Sequence, residues 1–126
     1  MEDLGGNLAG DLKAGDLVFL SGPLGAGKTT LVRGVLRALG HTGPVRSPTF
    51  SLVHLFATEP PVCHVDLYRI EAGHEVEDLG LEDYLETHAV LIEWPERLEG
   101  RLGEPDLRVE IDFAPDGREV KISTLK

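Results

Sequence analysis

Residues 22–29 form a glycine-rich loop that ends in a lysine and a threonine. They read Gly-Pro-Leu-Gly-Ala-Gly-Lys-Thr and match the pattern G-x-x-x-x-G-K-[ST]. The glycines allow the backbone to curl so that several N–H groups converge on phosphate oxygens. Lys28 is then placed to reach the β- and γ-phosphates, and the hydroxyl of Thr29 is placed to ligate Mg²⁺. The pattern therefore predicts a site for a nucleoside triphosphate.

The segments on either side of the loop support this interpretation. The apolar run over residues 17–20 predicts a strand, and apolar residues recur at helical spacing over residues 28–39. Gly40 is a typical residue to end that helix. A loop that opens a helix adds the unpaired N–H groups of the first turn and the positive end of the helix dipole. A nucleotide site is favoured over a plain strand-to-helix turn.

A loop of this kind also needs an acid at the end of a neighbouring strand, where it holds Mg²⁺ or a water ligand of the metal. Asp66 ends the strand predicted over residues 62–66, and Glu93 follows the apolar run over residues 89–92. The second run is the cleaner buried strand, whereas aspartate is the more usual residue type for the role. Both acids remain candidates, and a carboxylate that only caps the following turn is the simpler alternative for each.

Other polar residues near these segments have two interpretations each. Thr49, in the loop after the helix, is a candidate sensor of the γ-phosphate and Mg²⁺, although a Ser-Pro turn that opens a strand explains the same pattern. Arg69 either meets a phosphate or pairs with the acidic segment over residues 71–86. Cys63 and His64 have no partners at metal-ligand spacing, so we predict that both are core or edge residues.

Composition limits the class of protein. With 126 residues the chain predicts a single domain over residues 1–126, and its 41% hydrophobic and 27% charged residues are ordinary for a globular protein. The net charge of −10 argues against unaided binding to nucleic acid, which needs a basic surface. No stretch approaches the length of a membrane span, and one cysteine excludes an internal disulfide. We expect a cytoplasmic protein without membrane contact.

The order of the predicted elements indicates an α/β fold, a P-loop NTPase-like three-layer sandwich around a mixed sheet. The sheet should be parallel near the loop and antiparallel at its rims. The strands over residues 49–56 and 62–66 are expected to form an antiparallel hairpin directly beside the strand that precedes the loop. Further predicted elements are a short helix within residues 1–15, two short helices divided by Gly80, and a terminal hairpin of residues 107–113 and 119–123.

Five blocks of sequence in one order resemble the TsaE family: GPLGAGKTT, SPTFSLV, HVDLYRI, LIEWPE and DGREVKIS. The resemblance implies a small P-loop ATPase that is required to form threonylcarbamoyl-adenosine next to the anticodon of bacterial tRNAs. It also implies action with the TsaB–TsaD complex, in which TsaD performs the transfer, so that tRNA is met only through the complex. The alternative is a nucleotide-gated protein-binding module in which ATP occupancy, not hydrolysis, is the signal.

The resemblance assigns roles to individual residues. The implied nucleotide contacts are Gly25, Ala26, Gly27, Lys28, Thr29, Thr30 and Arg118, with Mg²⁺ on Thr29 and Glu93. Asp66 matches the family's Walker-B-like acid and Thr49 its switch-like threonine, so that these two and Lys28 are the implied catalytic residues. From its local sequence alone, Arg118 is only a residue beside a turn. The family commonly has an acid where this chain has Pro23.

Overall fold

The computed structural model describes residues 1–45, 52–71 and 73–124. The strands are β1 (Leu17–Ser21), β2 (Val53–Phe56), β3 (Val62–Asp66), β4 (Ala89–Glu93), β5 (Leu107–Ala114) and β6 (Gly117–Thr124). The helices are α1 (Glu2–Ala9), α2 (Lys28–Ala38) and α3 (Leu81–Tyr84), with 3₁₀-helices at Gly73–Leu79 and Pro95–Leu98. No helix in these described ranges is long and apolar enough to cross a membrane.

All six strands belong to one sheet with the order β2-β3-β4-β1-β5-β6. The centre is parallel, since β1 pairs with β4 and β5, and β3 pairs with β4, in the same direction. Both rims are antiparallel, with β2 on β3 and β6 on β5. The predicted mixed sheet and its two hairpins are confirmed.

The predicted position of the first hairpin was wrong. We expected it to lie directly beside β1, but β4 lies between β3 and β1. The reason is burial: all five residues of β4 are buried, and a strand between two neighbours in the middle of the sheet is covered along both faces and both edges. The hairpin therefore forms the rim, where the half-exposed residues of β2 are tolerated.

Helices cover both faces of the sheet, which confirms the three-layer sandwich. Alternate residues of β1 point to opposite faces, so Val18 and Leu20 join the core formed with α1 and α2. Leu17 and Phe19 join the second core, which also contains residues of the 3₁₀-helices and α3. The sheet thus holds the end of β1 between two packed layers, and the loop that follows starts from a rigid base.

Two glycines bring α1 close to α2. A Cβ atom at Gly5 would overlap the carbonyl oxygen of Leu31, and one at Gly34 would overlap the carbonyl oxygen of Glu2. Only residues without a side chain permit this separation of the two helix backbones. The short N-terminal helix predicted from the sequence therefore exists, and it supports the helix whose first turn follows the glycine loop.

Candidate functional site

A cleft of about 370 Å³ opens at the carboxyl ends of β1, β3 and β4. Its size lies within the range of small-molecule sites, and ligands of open α/β sheets bind at this edge. Seven of the residues predicted from the sequence line it: Gly25, Gly27, Lys28, Thr29, Thr30, Asp66 and Glu93. Tyr68, Arg69 and Trp94 also line this cleft.

The glycine loop has a backbone that other residues rarely adopt. Gly22, Gly25 and Gly27 have φ angles of 150°, 81° and 114°. A Cβ atom at Gly22 would also overlap the carbonyl oxygen of Ile111 on β5. Gly27 precedes α2, and no side chain among the described residues caps this helix. The N–H groups of the first turn of α2 are therefore left for an anionic ligand.

Lys28 lies in the cleft with its ammonium group held by two neutral partners. Its Nζ donates a hydrogen bond to the carbonyl oxygen of Gly22 at 2.6 Å and lies 3.6 Å from the centre of the Trp94 ring. Burial lowers the pKa of Lys28 from its usual value, and the negative charges of Glu93 and Asp66 oppose that change. Because both partners are neutral, the positive charge of Lys28 is available to a phosphate group.

Glu93 ends β4 and is only 3% exposed. The hydroxyl of Thr29 donates a hydrogen bond to its Oε2 atom at 3.2 Å. With its hydrogen turned to the carboxylate, the hydroxyl oxygen keeps its lone pairs for a cation. Hard oxygen atoms of this kind suit Mg²⁺, which takes few protein ligands together with phosphates and water. The structure brings the two predicted metal ligands together in an arrangement that fits this ion.

Asp66 lies beside Glu93, because the two residues are register partners across β3 and β4. It is half-buried and lines the cleft. Its Oδ1 atom accepts a hydrogen bond from the backbone N–H of Tyr68 at 3.0 Å, which is the turn-capping role weighed as the simpler alternative. Asp66 therefore caps the turn and also presents a carboxylate to the cleft.

His64 contacts the site, although the sequence predicted only a core or edge residue. It is fully buried, as expected, but its Nε2 atom lies 2.6 Å from Oε2 of Glu93. The sequence indicated only that His64 lies on the same face of its strand as Asp66, because residues two apart on a strand share a face. Which residue of the next strand it would meet depended on the register of β3 on β4.

Arg118 reaches the loop from the other side. Its Nε atom donates to the carbonyl oxygen of Ala26 at 3.0 Å, and Nη2 donates to that of Gly25 at 3.4 Å. Its guanidinium group also lies 4.7 Å from the centre of the Phe113 ring. Arg118 thus braces the outside of the loop, and neither it nor the fully buried Ala26 is among the residues that line the cleft. Direct contact of these two residues with a nucleotide stays a prediction.

Three further residues complete the list of candidates. Thr49 lies outside the described residues, so its switch-like role stays a prediction. Arg69 is exposed at the edge of the cleft. Cys63 is a core residue as predicted, and burial raises the pKa of its thiol to about 12. Over the described ranges, no group of three or more His, Cys, Asp or Glu residues could hold a metal ion by itself.

Several known proteins resemble this chain over most of its length. The family model described as "Threonylcarbamoyl adenosine biosynthesis protein TsaE" matches residues 1–120. The chain is 48% identical over 118 residues to the tRNA threonylcarbamoyladenosine biosynthesis protein TsaE of Streptomyces coelicolor, which covers 90% of this chain and 80% of that protein. It is 44% identical over 108 residues to the protein of the same name from Haemophilus influenzae. That match covers 84% of this chain and 68% of the relative.

The fold has a solved counterpart. The crystal structure of YdiB from Bacillus subtilis superposes with a TM-score of 0.79 and 29% sequence identity, over 99% of this chain and 78% of that chain. The α/β fold class predicted from the sequence is therefore confirmed. The match of the family model to almost the whole chain is decisive for kinship: the protein belongs to the TsaE family.

Proposed function

We propose that this protein is an ATPase that binds ATP with Mg²⁺ and takes part in forming threonylcarbamoyladenosine in tRNA. The relatives named for that pathway support the second half of the proposal. The observation that supports binding of ATP with Mg²⁺ is a hydrogen bond between two elements of the site. Thr29, at the end of the glycine loop, donates it to the buried carboxylate of Glu93, at the end of β4. It joins a phosphate-binding loop to an acid that can hold a metal ion in one cleft.

The residues of the cleft divide the task. Bound Mg²⁺·ATP supplies the phosphoryl group that is transferred to water and the charge that the metal neutralises. The N–H groups of the loop and of the first turn of α2 would hold the phosphates, and Lys28, which lies against Gly22 and Trp94, would supply them with a positive charge. Thr29 and Glu93 orient the metal side. Asp66, half-buried at the next strand end, orients the attacking water.

We further propose that the protein acts with the TsaB–TsaD complex in the cytoplasm and meets tRNA only through that complex. The net charge of −10 supports the indirect contact, since a strongly acidic protein repels the phosphate backbone. Two exposed apolar residues at the mouth of the cleft suit a protein partner: Leu24 is 68% exposed and Tyr68 is 45% exposed. Without a partner the cleft is open, so water would surround the phosphates of bound ATP. We therefore expect the protein alone to hydrolyse ATP slowly.

The test measures phosphate release from ATP by the protein alone and with the TsaB–TsaD complex. We expect slow turnover alone, a marked rise with the complex, and no turnover without Mg²⁺. The control is Lys28→Ala, which removes the cation for the phosphates and should abolish both activities. Unchanged turnover on addition of the complex would contradict the proposal.

A second measurement separates hydrolysis from mere occupancy. Asp66→Asn should still bind Mg²⁺·ATP but should hydrolyse it poorly. If this variant, added to the TsaB–TsaD complex, supports full modification of tRNA, then ATP occupancy is the signal and the protein is a nucleotide-gated module. If modification falls together with hydrolysis, the ATPase assignment stands.

A further inference from the structure

We infer that His64 is a positioning residue, which acts on the metal site by fixing one carboxylate oxygen of Glu93. The inference deepens the proposed function and rests on it, because the cation in question is the Mg²⁺ that accompanies ATP. Neither the local sequence, which indicated only a core or edge residue, nor the names of the relatives assign a role to His64.

The first argument is the geometry of the shared oxygen. The Oε2 atom of Glu93 lies 2.6 Å from Nε2 of His64 and accepts the hydroxyl of Thr29 at 3.2 Å. An ionised carboxylate can only accept hydrogen bonds, so Nε2 of His64 must donate. Two donors therefore hold one oxygen of Glu93 in place. Neither bond uses Oε1, which is left for the metal or one of its water ligands.

The second argument is burial. The side chain of His64 is 0% exposed and that of Glu93 is 4% exposed, so the bond between them is shielded from bulk solvent, although Glu93 also lines the cleft. His64 lies within β3, and its register partner Leu91 on β4 is itself buried. The ring is therefore enclosed on the core side of the sheet, where it packs beside Glu93. A carboxylate buried to this degree needs a fixed donor, and His64 is the donor that the adjacent strand supplies.

The third argument concerns the other ring nitrogen. Nδ1 of His64 is buried and has no hydrogen-bond partner among the described residues. A ring that carries its proton on Nε2 leaves Nδ1 as an acceptor, which tolerates the lack of a partner better than a buried N–H group does. The environment thus selects the Nε2–H form, which is the form that donates to Glu93.

The contact sets a specific expectation for two substitutions. His64→Leu fills a similar space without a donor, so the carboxylate of Glu93 loses one of the two hydrogen bonds that it accepts from described residues. Removing a group that orients a metal ligand commonly weakens metal affinity by about 10- to 100-fold. His64→Gln keeps an amide N–H that can reach the position of Nε2, so it should recover most of that loss.

The experiment titrates Mg²⁺ into the full-length protein with a non-hydrolysable ATP analogue and follows the fluorescence of Trp94, the single tryptophan of the chain. His64→Leu should weaken the apparent Mg²⁺ affinity by about 10- to 100-fold and leave binding of the analogue in EDTA unchanged. The matched control is Val62→Ala, a fully buried residue two positions earlier on the same face of β3. It should bind Mg²⁺ as the wild type does.

A double-mutant cycle distinguishes positioning from general packing. If His64 acts through Glu93, His64→Leu adds no further loss of Mg²⁺ affinity in a Glu93→Gln background. Equal losses in both backgrounds, or the same loss from Val62→Ala, would overturn the inference. Wild-type Mg²⁺ affinity in His64→Leu would overturn it as well.

A nucleotide-free readout keeps this result separate from the proposed function. If the wild type binds no Mg²⁺ with the analogue, the proposed function fails, and the contact is judged by ¹⁵N NMR of the His64 ring. We expect a protonated Nε2 and an unprotonated Nδ1 in the wild type, with an altered Nε2 signal in Glu93→Gln. An Nδ1-protonated ring, or a spectrum that Glu93→Gln does not change, would overturn the inference.

Discussion

The strands β3 and β4 end side by side, each with an acid, yet the two acids have different surroundings. Glu93 is 3% exposed and its Oε2 atom contacts His64 and Thr29. Asp66 is half-buried and accepts the N–H group of Tyr68 in the next turn. Register partners in one sheet are therefore not equivalent. We interpret Glu93 as a fixed ligand of the metal ion and Asp66 as the acid that orients the attacking water.

The largest effect is expected at Lys28, because the negative charges of both acids stabilise its protonated form. Lys28→Ala should weaken ATP binding by about 30-fold or more, since truncating one partner of a close charge pair costs on the order of 2–5 kcal/mol. The fold should remain, because Lys28 donates to a loop carbonyl and its ammonium is not part of the apolar core. Equilibrium titration with ATP measures the loss, and thermal unfolding checks the fold.

Lys13→Ala is the control for Lys28, because Lys13 is an exposed lysine outside the residues that line the cleft. It should bind ATP as the wild type does. Near-normal ATP binding by Lys28→Ala would contradict the role given to the loop.

The two acids can be compared directly by isosteric substitutions. Glu93→Gln should lower the apparent Mg²⁺ affinity by at least about 10-fold, because removing the charge of a predicted metal ligand is a larger change than removing a group that only orients it. Asp66→Asn should have a smaller effect on Mg²⁺ affinity and should mainly lower kcat. Both variants are measured by Mg²⁺ titration at a fixed ATP concentration and by steady-state turnover with the partner complex. The reverse pattern would exchange the two roles.

The sequence predicted those parts of the site that depend on neighbouring residues along the chain. The glycine loop, Lys28 and Thr29 are local, and the acids were found because each ends an apolar run. What failed depended on contacts between distant segments. The predicted hairpin was misplaced because the sequence did not show that β4 lies between β3 and β1. The contact from His64 to Glu93 was missed because it depends on the register of β3 on β4. No local pattern encodes either one.

Arg118 shows the same limit at a longer distance. Its bonds to the carbonyl groups of Gly25 and Ala26 join residues that are 93 and 92 positions apart. The local sequence showed only a turn, and the family resemblance suggested a nucleotide contact. The brace on the loop followed from neither, because it requires β6 to pair with β5 beside β1.

The pH dependence of ATP binding should report the unequal effect of the two acids on Lys28. Burial lowers the pKa of Lys28 from 10.5, and Glu93 opposes this more strongly than Asp66 does. Phosphate binds the protonated amine, so affinity falls as pH rises through that pKa and is retained below it. The decline should begin at a lower pH in Glu93→Gln than in Asp66→Asn, with differences of a few-fold at a given pH.

This pH series is measured in EDTA, so that loss of the metal does not contribute. Lys28→Arg keeps its charge at all these pH values and serves as the flat control. An identical pH dependence in the two acid variants would show that the acids act on Lys28 equally. Glu93 and Asp66 would then differ only in their effects on Mg²⁺ affinity and turnover.

The smallest effect is expected from Arg118, which lies on the side of the loop away from both acids. Arg118→Gln removes two hydrogen bonds to loop carbonyl groups and should lower the free energy of unfolding by about 1 kcal/mol. ATP affinity should fall only a few-fold, and the difference between Asp66→Asn and Glu93→Gln should persist. Glu104→Gln, which removes a surface ion pair with Arg108 at 3.6 Å, is the control and should change neither quantity measurably. Chemical denaturation gives the free energy of unfolding, and ATP titration gives the affinity.

If Arg118→Gln abolished ATP binding at unchanged stability, the guanidinium group would act on the nucleotide itself. Its bonds to the loop would then be the resting contacts that a ligand replaces.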